Sequence, residues 1–182
     1  MIAIADFWKQ QSLHHLVPYS FNRGLKLAAL QTAADQVLAE LVATPPTDYL
    51  RQFKLKRQLR EAQAEAELGA YRRRILNAQG TFDNTAEQIA VVGQNSDAAR
   101  QLGHVFQRPK GEVMYAMCMP VFRDALVFYD EHGQLVQALN ICFECLYMEA
   151  SNGVVVEADV AVYREMRKLL AQLGHPIESP GW

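Results

Sequence analysis

Apolar residues recur at helical spacing over residues 25–43, where Leu27, Leu30, Ala34, Val37, Leu38 and Leu41 fall three or four apart. Thr44-Pro45-Pro46 then stops the run, because proline lacks the N–H that a continuing helix needs. The opening Leu25-Lys26-Leu27-Ala28 alternates and would also suit a short strand. Thr47 or Asp48 can cap a second helix running through Ala78, since a short side-chain oxygen satisfies the first free backbone N–H groups. The run Arg-Gln-Leu-Arg-Glu-Ala-Gln-Ala-Glu-Ala-Glu-Leu favours helix by propensity alone. Its apolar stripe (Leu50, Phe53, Leu59, Ala62, Ala66, Ile75) is thin. A helix of this kind projects into solvent, packs along one narrow edge, or meets a partner.

Gly80-Thr81-Phe82-Asp83-Asn84 is a turn-rich break, and beyond it the period shortens. Gln88-Ile89-Ala90-Val91-Val92 reads as a buried strand ended by Gly93. Asn95, Ser96 or Asp97 caps a helix to about Gln107, which Pro109 ends. Glu112 to Met119 alternates as a strand would, until Pro120 interrupts the ladder. Ala125 to Tyr129, the turn Asp130-Glu131-His132-Gly133, and the return from Leu135 to Phe143 form a hairpin, with Gly133 as the left-handed turn residue. On the return strand Leu135, Leu139, Ile141 and Phe143 share one face, and Val136, Ala138, Asn140 and Cys142 the other. Val154-Val155-Val156 offers a further strand. Asp159 to Leu173 is amphipathic through Val162, Tyr163, Met166, Leu169, Leu170 and Leu173, and Gly174 with Pro176 stops it.

These elements define an α+β protein: a largely antiparallel sheet with flanking helices and a helical N-terminal extension. The division falls between residues 1–80, mainly helical, and 81–182, which hold the hairpin, the C-x-x-C and the last helix. The 182 residues are half hydrophobic and about a fifth charged, enough to bury a core. A formal net charge of −2 gives nothing to attract nucleic acid at the whole-chain level. The basic clusters Arg51 to Arg60 and Arg72 to Arg74 are separated by Glu61, Glu65 and Glu67, so a solvated helix is favoured over a phosphate-binding face. No apolar run approaches the roughly 20 residues of a bilayer span, and Met-Ile-Ala-Ile-Ala-Asp-Phe-Trp lacks the pattern of a secretory signal. The compartment expected on these grounds is the cytoplasm.

The chemistry of the chain centres on its three cysteines, Cys118, Cys142 and Cys145. Strand alternation sends Cys142 and Cys145 to opposite faces, so their sulfurs converge only if the chain turns or bulges directly after Cys142. With such a turn the three thiolates could hold a metal, zinc being the candidate, and His104, His132 or another distant residue would have to supply the fourth ligand. Catalytic thiol redox fits less well, because Glu144 between the thiols favours the neutral thiol and no helix N-terminus adjoins them. A disulfide from Cys118 to Cys142 or Cys145 would suit an exported protein. Three reduced cysteines acting as small core hydrophobes is the reading these greasy surroundings favour.

Other motifs add little. No G-x-S-x-G, H-E-x-x-H or P-loop occurs. His14-His15 is too close-spaced for a helical metal pair, and Trp8 and Trp182 read as packing anchors. Gly93-Gln94-Asn95 ahead of a capped helix could receive an anion, as any strand–turn–helix can.

Cys118-Met119-Pro120, Val127-Phe128-Tyr129-Asp130 with Gly133, and Ile141-Cys142-Phe143-Glu144-Cys145 resemble a pattern in small uncharacterised bacterial proteins, some of them exported. The resemblance covers residues 104 to 148 and implies that the cysteines and the hairpin form one unit. It implies no activity, and it raises an exported mature form lacking its signal peptide as the alternative compartment. Function is therefore expected to be non-enzymatic: a protein-interaction protein of the immunity or accessory type, needing no cofactor. The alternative is a metal-binding or thiol-redox protein using Cys118, Cys142 and Cys145, and a third class is an enzyme whose site the sequence does not spell out.

Overall fold

A computed structural model describes residues 1–11, 14–67, 73–109, 111–114 and 118–177. In chain order the elements are β1 (Ile2–Ala3), α1 (Ile4–Lys9), β2 (His15–Ser20), α2 (Gly24–Ala43), α3 (Tyr49–Ala66), β3 (Glu87–Gln88) and β4 (Val92–Gly93). They continue with α4 (Asp97–Phe106), β5 (Asp124–Tyr129), β6 (Leu135–Cys142), β7 (Tyr147–Ala150), β8 (Val155–Glu157) and α5 (Val160–Gln172). The fold is α+β. Two compact units result, one of Met1–Phe21 with Tyr71–Trp182 and one of Asn22–Ala70, whereas the sequence reading divides the chain at residue 80.

The first unit is built on one mixed sheet in the order β1-β8-β7-β6-β5-β2-β3, with β4 also pairing β2. Every pairing is antiparallel except β1 with β8. β2 has no counterpart among the expected strands, and Pro18 within it is a residue that sheet interiors disfavour. The sheet tolerates it in a specific way. Pro18 accepts a hydrogen bond from Ile89 N at 3.0 Å, so the side on which its N–H would stand faces residues 87–93. That neighbour pairs on either side of the gap, at Glu87–Gln88 and at Val92–Gly93, and the single strand expected over Gln88–Val92 becomes two short ones.

Both faces of the sheet are buried. Leu126, Phe128, Leu139, Ile141 and Met148 pack under α1, α4 and α5, joining Phe7, Leu102, Phe106, Met166 and Leu170 in the larger core. Ser96 caps α4 and Asp159 caps α5 through side-chain oxygens that accept from Ala99 N and Val162 N. The second Asp159 carboxylate oxygen accepts from Gly111 N at 2.7 Å. Residues 111–114, 118 and 119 stand outside any ladder, so the strand expected over Glu112–Met119 is absent from its described part; residues 115–117 lie outside the described residues.

Ala125, Val127, Ala138 and Cys142 face the other way and meet Phe21, Ile75 and Phe122. No helix of this unit covers that face among the described residues; the irregular segment from Arg73 to Ala86 does. Ile75 is fully buried there, and its N–H donates to Asn140 Oδ1 at 2.8 Å. Burial of Ile75 explains why α3 ends at Ala66 and not at Ala78: tertiary packing outweighs helix propensity. Arg74 donates to both Glu149 carboxylate oxygens, at 2.8 and 3.3 Å, and lies 4.4 Å from the Phe122 ring centre. Arg73 pairs with Asp83 at 3.5 Å. These arginines fasten a covering loop; they are not a phosphate-binding cluster.

A register shift between Phe128 and Tyr129 changes the faces expected for β6. Phe128 pairs with Gln137 and Tyr129 with Leu135, leaving Val136 as the extra, exposed residue. Leu135 is thereby carried to the face of Ala138 and Cys142, away from Leu139 and Ile141.

The second unit is a helical hairpin. Leu27, Leu30, Ala34, Val37 and Leu41 of α2 recur at the three-and-four intervals of a coiled-coil seam, as do Gln52, Leu55, Leu59, Ala62 and Ala66 of α3. These are the buried and half-buried positions, and most others are exposed. Of the three fates open to the thin-striped helix, packing along one narrow edge is the one observed. Asp48 caps α3 by accepting from Arg51 N, and Arg51 reaches Glu40 at 2.8 Å. Gln52 Nε2 donates to Thr44 O at 2.9 Å, closing the loop end.

Candidate functional site

Cys142 is the last residue of β6, and the chain turns at once through Phe143, Glu144, Cys145 and Leu146, so that Cys142 pairs with Tyr147. Leu146 takes a left-handed conformation, φ 49°, to complete this turn. Alternation is broken as the convergence of two thiols requires. Phe143 enters the helix-covered core, while Cys142 and Cys145 enter the opposite cluster together. Cys145 is joined to Cys118 by a disulfide whose Cα atoms are 6.0 Å apart. Cys142 remains a buried thiol. The expectation of three reduced cysteines is corrected accordingly: two sulfurs are shared in one bond.

Burial is the main cause that raises the Cys142 pKa, and the neighbouring Glu144 carboxylate adds to it. Backbone N–H groups of Cys145 and Val121 oppose the shift without reversing it. Cys145 Sγ lies 3.6 Å from Met119 O, and Cys118 is exposed, so the bridge has one buried and one open end. His132 sits in the β5–β6 turn, at the far end of β6 from Cys142, and His104 is on α4 against the other sheet face. No group of three potential metal ligands assembles among the described residues.

The sequence reading missed a second polar group. His175 Nδ1 lies 2.9 Å from Asp124 Oδ1, both side chains buried. His175 Nε2 is buried without a hydrogen-bond partner. The carboxylate fixes the ring orientation, as an orienting acid does for a base. The two residues are 51 apart in sequence, so spacing gave no signal. His14 precedes β2 and His15 begins it, where the His15 ring stacks on Tyr129 at 4.8 Å and the two histidine Nδ1 atoms lie 3.3 Å apart. Trp8 packs edge-on against Phe106 and Phe128, as an anchor does, and Trp182 lies outside the described residues.

A third feature belongs to the hairpin unit. Val42, Tyr49, Leu50 and Phe53 surround the α2–α3 connection and are 78, 78, 87 and 70% exposed. Leu50 and Phe53 were counted in the apolar stripe of α3, but they lie off the seam. From this apolar end the helix continues into Lys54, Lys56, Arg57 and Arg60, all exposed.

Fold and sites together define an α+β protein with a sheet unit, a disulfide beside a buried thiol, and an apolar-ended helical hairpin. No family model, curated protein or solved structure matches the chain. No described helix is long and apolar enough to cross a membrane.

Proposed function

We propose that this is a non-enzymatic protein-interaction protein, of the immunity or accessory type, whose α2–α3 hairpin end is the binding element. The observation that carries this reading is the cluster of four large apolar side chains, each at least 70% exposed, at one end of a narrow two-helix seam. Large contiguous apolar surface is uncommon on a free protein and marks contact sites. Tyr49 and Phe53 are the residue types that anchor interfaces. Helical spacing stacks Tyr49, Phe53, Lys56 and Arg60 on one face, so the partner is a protein with an apolar cleft edged by carboxylates.

A photo-crosslinking residue at position 50 of the full chain tests this in the source cell. One protein adduct is expected, which purified components rebuild as a one-to-one complex. Phe53→Ala should then weaken the complex by about 30-fold, the loss of one aromatic anchor. Two outcomes would defeat the reading. One is concentration-dependent dimerisation of the chain alone that Phe53→Ala abolishes. The other is flotation on phosphatidylglycerol–phosphatidylcholine vesicles in place of a protein adduct.

The disulfide favours a second reading, a thiol-dependent protein centred on Cys118, Cys142 and Cys145. A dithiol reductant would deliver two electrons and two protons to the bridge through its open Cys118 end and leave three thiols in one locus. A bridge of this kind suits an oxidising compartment and so the exported alternative. Native mass spectrometry before and after reduction tests it. One free thiol becoming three, with zinc then bound one-to-one, would shift the function to this locus; three thiols that take up no metal would leave the bridge structural.

A further inference from the structure

Between α1 and α4 of the sheet unit runs a groove of about 470 Å³, within the size range of small-ligand sites. None of its nine described lining residues is acidic, although the chain as a whole carries net negative charge. Lys9 and Arg100 line it with the amides of Gln94 and Gln107. Both cations have acidic neighbours, Lys9 with Asp6 at 3.7 Å and Arg100 with Asp97. These pairs are exposed, with side chains 60 to 84% accessible, and exposed pairs are held by so little that a ligand anion can displace them.

The groove also has a rigid aromatic wall. Trp8 is fixed edge-on by Phe106 at 5.2 Å and Phe128 at 6.2 Å. Its indole N–H has no hydrogen-bond acceptor among the described residues. Opposite it stands Gly103, in the middle of α4, where glycine weakens a helix relative to alanine. A Cβ at 103 would lie 3.6 Å from Trp8 Nε1 and 3.9 Å from Gln107 Nε2, ordinary contact distances. Packing therefore does not demand glycine. What the missing side chain provides is open space in front of an indole N–H and an amide.

We infer that this groove binds a small organic anion, one carrying a carboxylate or phosphate on a planar ring. The ring packs at the N–H edge of Trp8, where its polar atoms accept from the indole N–H and the glutamine amides, and the anionic group sits between Lys9 and Arg100. Edge-to-face aromatic contact with charge-assisted hydrogen bonds is the combination such ligands require.

The test uses the full chain with Trp182→Phe, which leaves Trp8 as the sole tryptophan and its emission as the readout. Adenosine monophosphate and 4-hydroxybenzoate are the two anionic probes, with adenosine as the neutral control. A saturable change in Trp8 emission is expected with at least one anion, and binding about tenfold weaker for adenosine than for its monophosphate if the phosphate is the source. Response to only one anion tells phosphate from carboxylate. Arg100→Gln should weaken binding about tenfold, and Gly103→Leu should abolish it while thermal melting stays cooperative. If Gly103→Leu fails to fold, Arg100→Gln decides alone, since that side chain is exposed. No saturable change with either anion, or binding indifferent to Arg100→Gln, overturns the assignment.

Discussion

Asn140 joins three segments through one buried side chain. Its Oδ1 accepts from Ile75 N at 2.8 Å and its Nδ2 donates to Glu149 O at 3.2 Å, tying β6 to the covering loop and to β7. Removing that amide leaves a buried N–H without a partner, so Asn140→Ala should cost about 2–3 kcal/mol in urea unfolding. Asn140→Leu should give no relief, because the Ile75 N–H stays unpaired. Cys142 carries a pH signature. Its thiol is raised from 9.0 by burial, so the folded chain keeps a proton that the unfolded chain releases. The stabilisation is present below the ordinary thiol range and is lost as pH rises through it toward the folded value. Unfolding curves from pH 7 to 10 should therefore fall more steeply for the native chain than for Cys142→Ala. Asp124→Ala would strip His175 of its one side-chain hydrogen bond and should destabilise by about 3 kcal/mol; a change under 1 kcal/mol would show that the pair is not structural.

The elements differ in how far local residues determine them. The β5–β6 hairpin is readable because its turn, with Gly133 at φ 71°, lies between two adjacent alternating runs. The caps at Asp48, Ser96 and Asp159 are readable for the same reason: each acts within three residues. β2 is not, since Pro18 speaks against it locally and its main partner β5 begins over a hundred residues later. The position of Leu135 depends on a bulge that no residue announces. At the cysteines, the need for a turn after Cys142 follows from strand period, but the choice of Cys118 as partner to Cys145 depends on residues 118–123 packing on the sheet face that holds Cys145. The α1–α4 groove is illegible for a related reason, because it is made by residues near 8 and near 103. One element is separately testable. Leu55→Ala empties the hairpin seam and should cost the α2 and α3 amides about 2–3 kcal/mol of exchange protection. Amides of β5 and β6, in the other compact unit, should keep theirs.

Across the whole molecule, the bridge between Cys118 and Cys145 closes a stretch of 27 residues that includes the central hairpin. Reduction, or Cys118→Ser, should lower global stability by about 3 kcal/mol, read as a shift in urea midpoint. The sheet around that hairpin is joined by distant partners. Ser20 pairs with Asp124, and Ile2 with Val156. The hairpin unit contrasts with it, because α2 and α3 pack on each other across a short connection. This sets an order of assembly on the ribosome. The α2–α3 pair has every partner it needs once Ala66 has emerged, whereas His15–Ser20 waits for Asp124–Tyr129 to be made. Through that interval Leu16 and Val17, buried in the finished protein, have only the two-residue strands β3 and β4 to pair with. A nascent chain halted before residue 124 should hold a peptide-binding chaperone at His15–Ser20, and one halted after residue 157 should release it. A strand that lies between β5 and β3 in the finished sheet thus spends more than a hundred residues of synthesis in need of protection while the protein is being made.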